Sequence, residues 1–432
     1  MLGDRQGPAH PFRAECAAMN IVYLCADRGI PVLGDKGASV HVREFTTALA
    51  RAGHAVTLLC ARQGKGNPHP PARLIELPPD ADSTEIRSEG ERLGIGQEEY
   101  DQTVRREIDK LICDRRLAAR ALDALNTAGV RPDALYERYA LFHRSGGDLA
   151  SALGVPYVLE VNAPLVYEQE RFRGLRLKAM AEEAEVAVFQ RADHIVAVSE
   201  AVREHVLSRQ VPAKRVTVLP NGVDISRFHP QVDGQGIRTR HGLDGRPVIG
   251  FVGSLKPWHG LDFLLDAFVL VSRQLPEAVL LVVGEGPGSA ALQSRATENG
   301  LAGKVIMTGR VAHEDIPGYL AAMDLTVAPY LPQDGFYFSP LKVVESLAVG
   351  RPVVAPRIGQ LPSLIDDGVT GLLFPPGDLV ACVGCILTML NGPSQRQAMG
   401  QRAGAAAGGI FGWDRTARQV TDIIAALRSG PM

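Results

Sequence analysis

Short apolar runs separated by longer amphipathic stretches recur along the whole chain. In the first half they fall at Asn20–Ala26, Ala55–Cys60, Ala134–Arg138, Tyr157–Val161, His194–Val198 and Arg215–Leu219. In the second half they fall at Val248–Val252, Ala278–Val283, Lys304–Thr308, Leu325–Pro329, Arg351–Ala355 and Gly371–Phe374. Runs this short, rich in Val, Ile and Leu and followed by turn residues, read as buried strands. Their alternation with helical stretches predicts an α/β fold with parallel sheets covered by helices on both faces. The two sets share size and rhythm, which predicts two doubly wound domains. Each has its ligand edge at the carboxyl ends of its strands. Facing edges enclose a cleft, the usual place for a two-substrate site.

The weakly periodic stretch from Asn221-Gly222-Val223-Asp224 to about Gly245 is rich in Gly, Asp and Pro. It predicts a linker over 221–246 between a first domain at 19–220 and a second at 247–412. An amphipathic helix follows over 413–428. Residues 1–18 are polar with scattered Pro and Gly, lack the apolar core of a signal peptide and predict a disordered arm, with Met19 as an alternative start. A charged insert from about Asp80 to Glu107 predicts a solvated excursion of loop and helix.

Composition narrows the class. The chain has 432 residues, 46% hydrophobic and 22% charged, with a net charge of −2. These values fit a soluble globular protein and give no support to a nucleic-acid binder. No apolar run approaches bilayer length. The cysteines Cys16, Cys25, Cys60, Cys113, Cys382 and Cys385 are thinly spread. Cys382 and Cys385 form a lone C-x-x-C in an apolar helix without a second ligand pair, so reduced core thiols are expected. No metal site is expected, and Asp80-Ala81-Asp82 is rejected as one because no strand precedes it. A reducing cytoplasm is the expected location.

The most informative words lie between Phe338 and Ala355. Ser339 reads as an N-cap and Pro340 as the first helical residue. Such a helix start favours bound phosphate. Lys342 adds a cation, and a carboxylate at Glu345 can accept hydrogen bonds from two ribose hydroxyls. One helix end can thus hold a diphosphate and its sugar. The plain alternative is a capped surface helix carrying a Lys and a Glu.

Gly350-Arg351-Pro352-Val353-Val354-Ala355 and Asp367-Gly368-Val369-Thr370-Gly371 follow at close spacing. This ensemble resembles the donor-binding half of family 4 glycosyltransferases, retaining enzymes of the GT-B fold. The resemblance extends from about Met19 to about Ala426. It implies a last helix that crosses back to the first domain. It also implies donor contacts from Gly37 in the first loop, from Gly253 and Ser254, from Gly284 and Glu285, and from Arg310 and Val311. Tyr337, Phe338, Ser339, Pro340, Leu341, Lys342 and Glu345 complete that set. Arg310 is either a stacking platform for the base or a surface arginine.

The family steadies the departing diphosphate with an Arg and a Lys; Ser254 and His259 stand in those places here, and Lys256 supplies a cation close by. The family's second Glu, eight residues before Glu345, is replaced by Tyr337, and Asp334 is the nearest carboxylate. Asn162 stands where the family often has His. With His143 it is a candidate for contacting the reacting sugar, and Glu160 and Glu168 for orienting an acceptor. The basic stretch Arg171–Lys178 is either a solvated face or a contact for an anionic membrane surface. Peripheral attachment at the inner face of the membrane is therefore part of the expectation.

The resemblance implies transfer of a hexose-type sugar from a nucleoside diphosphate sugar, UDP-linked in preference to GDP-linked, to a hydroxyl acceptor, without metal or resident cofactor. The catalytic set is Lys256, His259, Glu345, Asn162 and His143. A nucleotide-sugar 2-epimerase of the same fold and a non-catalytic nucleotide-sugar binder remain as alternatives.

Overall fold

The computed structural model describes residues 17–66, 69–332 and 335–430. Cys16, Asp334 and nearly all of the expected arm lie outside the described residues. The first sheet contains β1 (Asn20–Cys25), β2 (Ala55–Cys60), β3 (Arg73–Glu76), β4 (Ala134–Arg138), β5 (Tyr157–Val161), β6 (His194–Ala197) and β7 (Val216–Val218). Its order is β3-β2-β1-β4-β5-β6-β7, with every pairing parallel. The second contains β8 (Val248–Val252), β9 (Val279–Val283), β10 (Val305–Met307), β11 (Leu325–Val327), β12 (Val353–Pro356) and β13 (Gly371–Phe374). Its order is β10-β9-β8-β11-β12-β13, again parallel throughout. Every strand expected from the pattern is present, and β3 is an addition. The strand order reverses beside β1 and beside β8, which opens a crevice at the carboxyl ends of each sheet.

Both faces of each sheet are buried, which is why the strands read as continuous apolar runs. Val22 and Leu24 of β1 enter one core while Ile21, Tyr23 and Cys25 enter the other. In β9, Val279, Leu281 and Val283 face one core and Leu280 and Val282 the opposite one. Each large side chain so buried stabilises the fold by about 1.5–3 kcal/mol.

The chain crosses between the domains twice, side by side. Val223 N–H donates to Phe411 O at 2.7 Å and Trp413 N–H to Val223 O at 3.2 Å. The helix Trp413–Arg428 packs on the first-domain helix Gly37–Arg51, and Trp413 is buried with Phe45 and Tyr23. The connection is shorter than the linker read from 221–246. Phe228 and Leu243 are buried in the second-domain core, because that stretch uses its few apolar residues to anchor itself there.

The insert carries the helix Ser83–Arg92, and Asp82 forms its capping box with Glu85. Asp80 faces Arg116 and Arg120, so the D-x-D carboxylates already have partners. No group of three or more potential ligands able to hold a metal ion occurs among the described residues. No described helix is long and apolar enough to cross a membrane.

Candidate active site

Three loops at the carboxyl ends of β8, β9 and β10 are laced edge to edge. Gly253 N–H donates to Val283 O at 2.9 Å, Leu255 N–H to Glu285 O at 3.0 Å and Gly284 N–H to Gly309 O at 3.0 Å. Two glycines make this possible. Gly284 has φ +136°, and a Cβ there would stand 2.0 Å from Gly253 O. Gly253 has φ +140°, and its Cβ would stand 2.9 Å from Lys342 Nζ. The loops therefore present bare backbone to the cleft, where a ligand can approach closely.

The helix Leu341–Ala348 points its start at the same place. Val343, Val344, Leu347 and Ala348 hold it in the second-domain core, and Gly350 ends it in a left-handed conformation. Pro340 occupies the N-cap position with extended backbone and no side-chain cap forms. This corrects the expectation for Ser339. Its hydroxyl instead accepts from Asn221 N–H at 3.0 Å, and its carbonyl accepts from Asn221 Nδ2 at 2.7 Å. The amides of Leu341 and Lys342 belong to the first turn and have no intrahelical acceptor. Opposite them lies Gly37, first residue of the helix Gly37–Arg51, whose Cβ would meet Leu341 Cδ1 at 3.8 Å. Two helix starts from different domains thus converge on one spot.

Lys342 is the singular group there. Its Nζ is buried without a hydrogen-bond partner, 4.2 Å from the Phe251 ring centroid and 5.4 Å from that of Tyr330. Burial pushes its ammonium down to about 7, against the pull of Glu345. An unpaired ammonium in such a place costs stability unless an anion joins it.

Glu345 is buried, and its Oε1 lies 2.8 Å from His313 Nε2. The other ring nitrogen, His313 Nδ1, faces the Arg227 guanidinium at 3.5 Å. Arg227 in turn pairs with Glu44 of the first domain. Nδ1 accepts from Arg227, so Nε2 carries the proton and donates to Glu345. His313, Arg227 and Glu44 were not singled out from the sequence.

His259 is not the cation expected of it. Its Nδ1 donates to the Ser254 carbonyl within one tight loop. Burial first, and Lys342 second, push its imidazole down to about 3, so it is neutral. It supports the wall formed by Phe251, Trp258 and Tyr330. Lys256 Nζ lies over the Trp258 ring, 4.8 Å from the centroid. Burial and Arg173 lower its pKa.

Several expected donor contacts also take part in the domain interface. Arg310 pairs with Asp35 of the first domain. Glu285 lies 3.9 Å from Arg310. The Tyr337 hydroxyl donates to Glu168 Oε2 at 2.9 Å, and its carbonyl accepts from Ser199 Oγ at 2.9 Å. Phe338 packs against both cores and Val311 against the second. Trp258 meets Phe172 of the first domain at 5.7 Å.

In the first domain, the buried Asn162 Nδ2 has no hydrogen-bond partner. His143 is packed with Asp114, 3.5 Å from its carboxylate, where Asp114 also accepts from the Arg144 and Ser145 amides. That arrangement shapes the turn before the helix Gly146–Leu153. Three of the four cations in the Arg171–Lys178 stretch have carboxylate partners. Arg173 pairs with Glu168, Arg176 with Asp101 and Lys178 with Glu170.

Two family models match the chain, Glycosyltransferase Family 4 over residues 36–227 and Glycosyl transferases group 1 over residues 246–392. A GDP-mannose-dependent alpha-(1-6)-phosphatidylinositol monomannoside mannosyltransferase of Mycolicibacterium smegmatis is 34% identical over 213 residues, which span 48% of this chain and 56% of that protein. A D-inositol 3-phosphate glycosyltransferase of Segniliparus rotundus is 29% identical over 421 residues, covering 93% of this chain and 87% of that one. In fold, the chain matches the Anabaena protein HepE, solved in complex with UDP, with a TM-score of 0.70 and 20% identity, over 94% of this chain and 100% of the other.

Proposed function

This chain belongs to the family 4 glycosyltransferases of GT-B fold, and on that premise we propose that it moves a hexose-type sugar from a nucleoside diphosphate to a hydroxyl acceptor, retaining the anomeric configuration and using no metal ion. The observation that carries the reading is the buried, unpartnered ammonium of Lys342 at the start of the helix Leu341–Ala348. A diphosphate there gains one cation, first-turn amides and a nearby second cation from Lys256, which together supply what a metal would otherwise contribute. Glu345, held by His313, is placed one turn on to accept from the ribose hydroxyls.

Retention has a structural rationale. Of the carboxylates singled out near the cleft, Glu160 is held by His41, Glu168 is held by Tyr337 and Arg173, and Glu345 is assigned to the ribose. The departing phosphate oxygen is then the base at hand. The bond from the anomeric carbon to the donor phosphate breaks, and the acceptor oxygen bonds to that carbon on the same face. The acceptor proton passes to the phosphate. The non-catalytic alternative drew its weight from Tyr337, which has a separate task as a tie between the domains.

We take the acceptor to bear a phosphate, in keeping with the names of the two relatives above. The base is the finer question, and UDP-sugars are the first donors to try. The test uses water as acceptor. UDP-glucose and GDP-mannose are each incubated with the enzyme and excess EDTA, and the anomer first released is read by NMR. Release of the α-anomer is expected. Initial release of the β-anomer, or turnover that requires added magnesium, would overturn the reading.

A further inference from the structure

His41 lies on the helix Gly37–Arg51, 2% exposed, with both ring nitrogens engaged. Nε2 stands 2.7 Å from Glu160 Oε1, and Nδ1 stands 2.8 Å from Asn221 Oδ1. The orientation of the Asn221 amide is fixed by its other end. Its Nδ2 donates to Ser339 O at 2.7 Å. A flipped amide would set two oxygens against each other at that distance, so Oδ1 faces His41. An amide oxygen only accepts. Glu160 is likewise an acceptor: burial works to raise its carboxyl, but His41 and Arg138 outweigh burial and hold it down to about 2. A ring that donates from both nitrogens is an imidazolium.

The surroundings agree with that charge state. From β1 the Tyr23 hydroxyl donates to Glu160 Oε2 at 3.3 Å, and from β4 the Arg138 guanidinium stands 3.5 Å from the same oxygen. Tyr136, also of β4, feels the Glu160 charge. Trp413, from the returning helix, sets its ring edge-on to His41 at 4.8 Å between centroids, and Phe45 lies 6.4 Å away. The linker has no slack here, since a Cβ on Gly222 would stand 2.6 Å from the Trp413 ring. Asn221 then reaches the second domain by two bonds to Ser339, immediately before Pro340 and the donor helix.

We propose that His41 is a positioning residue of the transfer site: carried as an imidazolium between Glu160 and Asn221, it fixes Ser339 and so sets the start of the donor helix relative to the first domain. The brace is a property of the unliganded chain, and only its use in catalysis rests on the donor assignment above.

The test begins with the wild-type protein, full length and labelled with 15N in its histidines. At pH 7.5, where a free imidazole is mostly neutral, one histidine is expected to show both ring N–H protons, and that signal should vanish in H41Q. Hydrogen exchange supplies the second readout. In H41Q and in N221A, amides of Asn221 and of residues 341–343 are expected to exchange about tenfold faster or more, with β4 unchanged. A singly protonated His41 in the wild type would overturn the proposal, even if H41Q failed to fold. So would wild-type exchange rates in both variants. None of these readouts needs a nucleotide, so a chain that bound none would count against the donor assignment alone.

Discussion

The Lys342 ammonium stands 4.2 Å from the Phe251 ring centroid, with no hydrogen-bond acceptor at its Nζ. The aromatic face offsets part of the cost of burying the charge. It offers nothing to the N–H donors, which await oxygen atoms. K342M keeps the length of the side chain and removes the charge. It is expected to raise the Tm of the free protein by about 2–4 °C for each kcal/mol recovered. Its affinity for nucleoside diphosphates should fall about 100-fold, on the order of 3 kcal/mol. Thermal melts and titration calorimetry read both effects, and an affinity equal to wild type would refute the role.

The same group makes nucleotide binding depend on pH. Its pKa is about 7 in the free protein, against 10.5 ordinarily. A bound diphosphate favours the charged form, so binding above pH 7 takes up a proton. Affinity should fall with rising pH above that point, approaching about tenfold per unit. Calorimetry in two buffers of different ionisation enthalpy measures the uptake. For folding the sign is opposite. Between about 7 and 10.5 the unfolded chain holds more protons, so this group's contribution to stability improves as pH rises.

His259 predicts behaviour in acid. Its folded pKa is about 3 and its ordinary value 6.5, so the unfolded chain binds the extra proton inside that window. The stability it contributes is present above pH 6.5 and is lost as pH falls toward 3. H259Q preserves a donor for Ser254 O without titrating. Its acid unfolding midpoint, followed by circular dichroism, should lie at lower pH than that of wild type. An unchanged midpoint would show that other groups govern acid unfolding.

The pairing of His313 with Glu345 predicts how the ribose is read. Without the imidazole, H313A leaves the carboxylate free to turn away from the sugar. Wild type should prefer UDP and GDP over their 2′-deoxy forms by about 10–100-fold, the range for a hydrogen bond to a charged group. H313A and E345Q should lose most of that preference. Competition binding decides it, and intact discrimination in both variants would mean the ribose is held elsewhere.

The fold was legible because buried parallel strands leave unbroken apolar runs. β3 escaped notice because its sequence, Arg-Leu-Ile-Glu, is an edge strand with exposed ends. The glycine turns and the words around Lys342 and Glu345 were equally plain, since their signals are local. The contacts that set their electrostatics were not. Tyr337 with Glu168 and Arg310 with Asp35 join segments that only the facing of two domains brings together, and His41 meets Asn221 from far away in the chain. Ser339-Pro340 read as a cap and a first turn, but the Ser339 hydroxyl is taken by Asn221. His259 read as a cation because sequence carries no measure of burial.

The proposed nucleoside diphosphate site is built around Lys342. It is tested most directly by thermal melting of wild type and K342M with UDP, GDP, dTDP and ADP, each in excess EDTA. Binding to the folded state alone raises Tm by mass action. A clear shift of wild type by at least one nucleotide, absent in K342M, is the predicted result and names the donor class. No shift of folded wild type with any of the four, or an equal shift in K342M, would contradict the account.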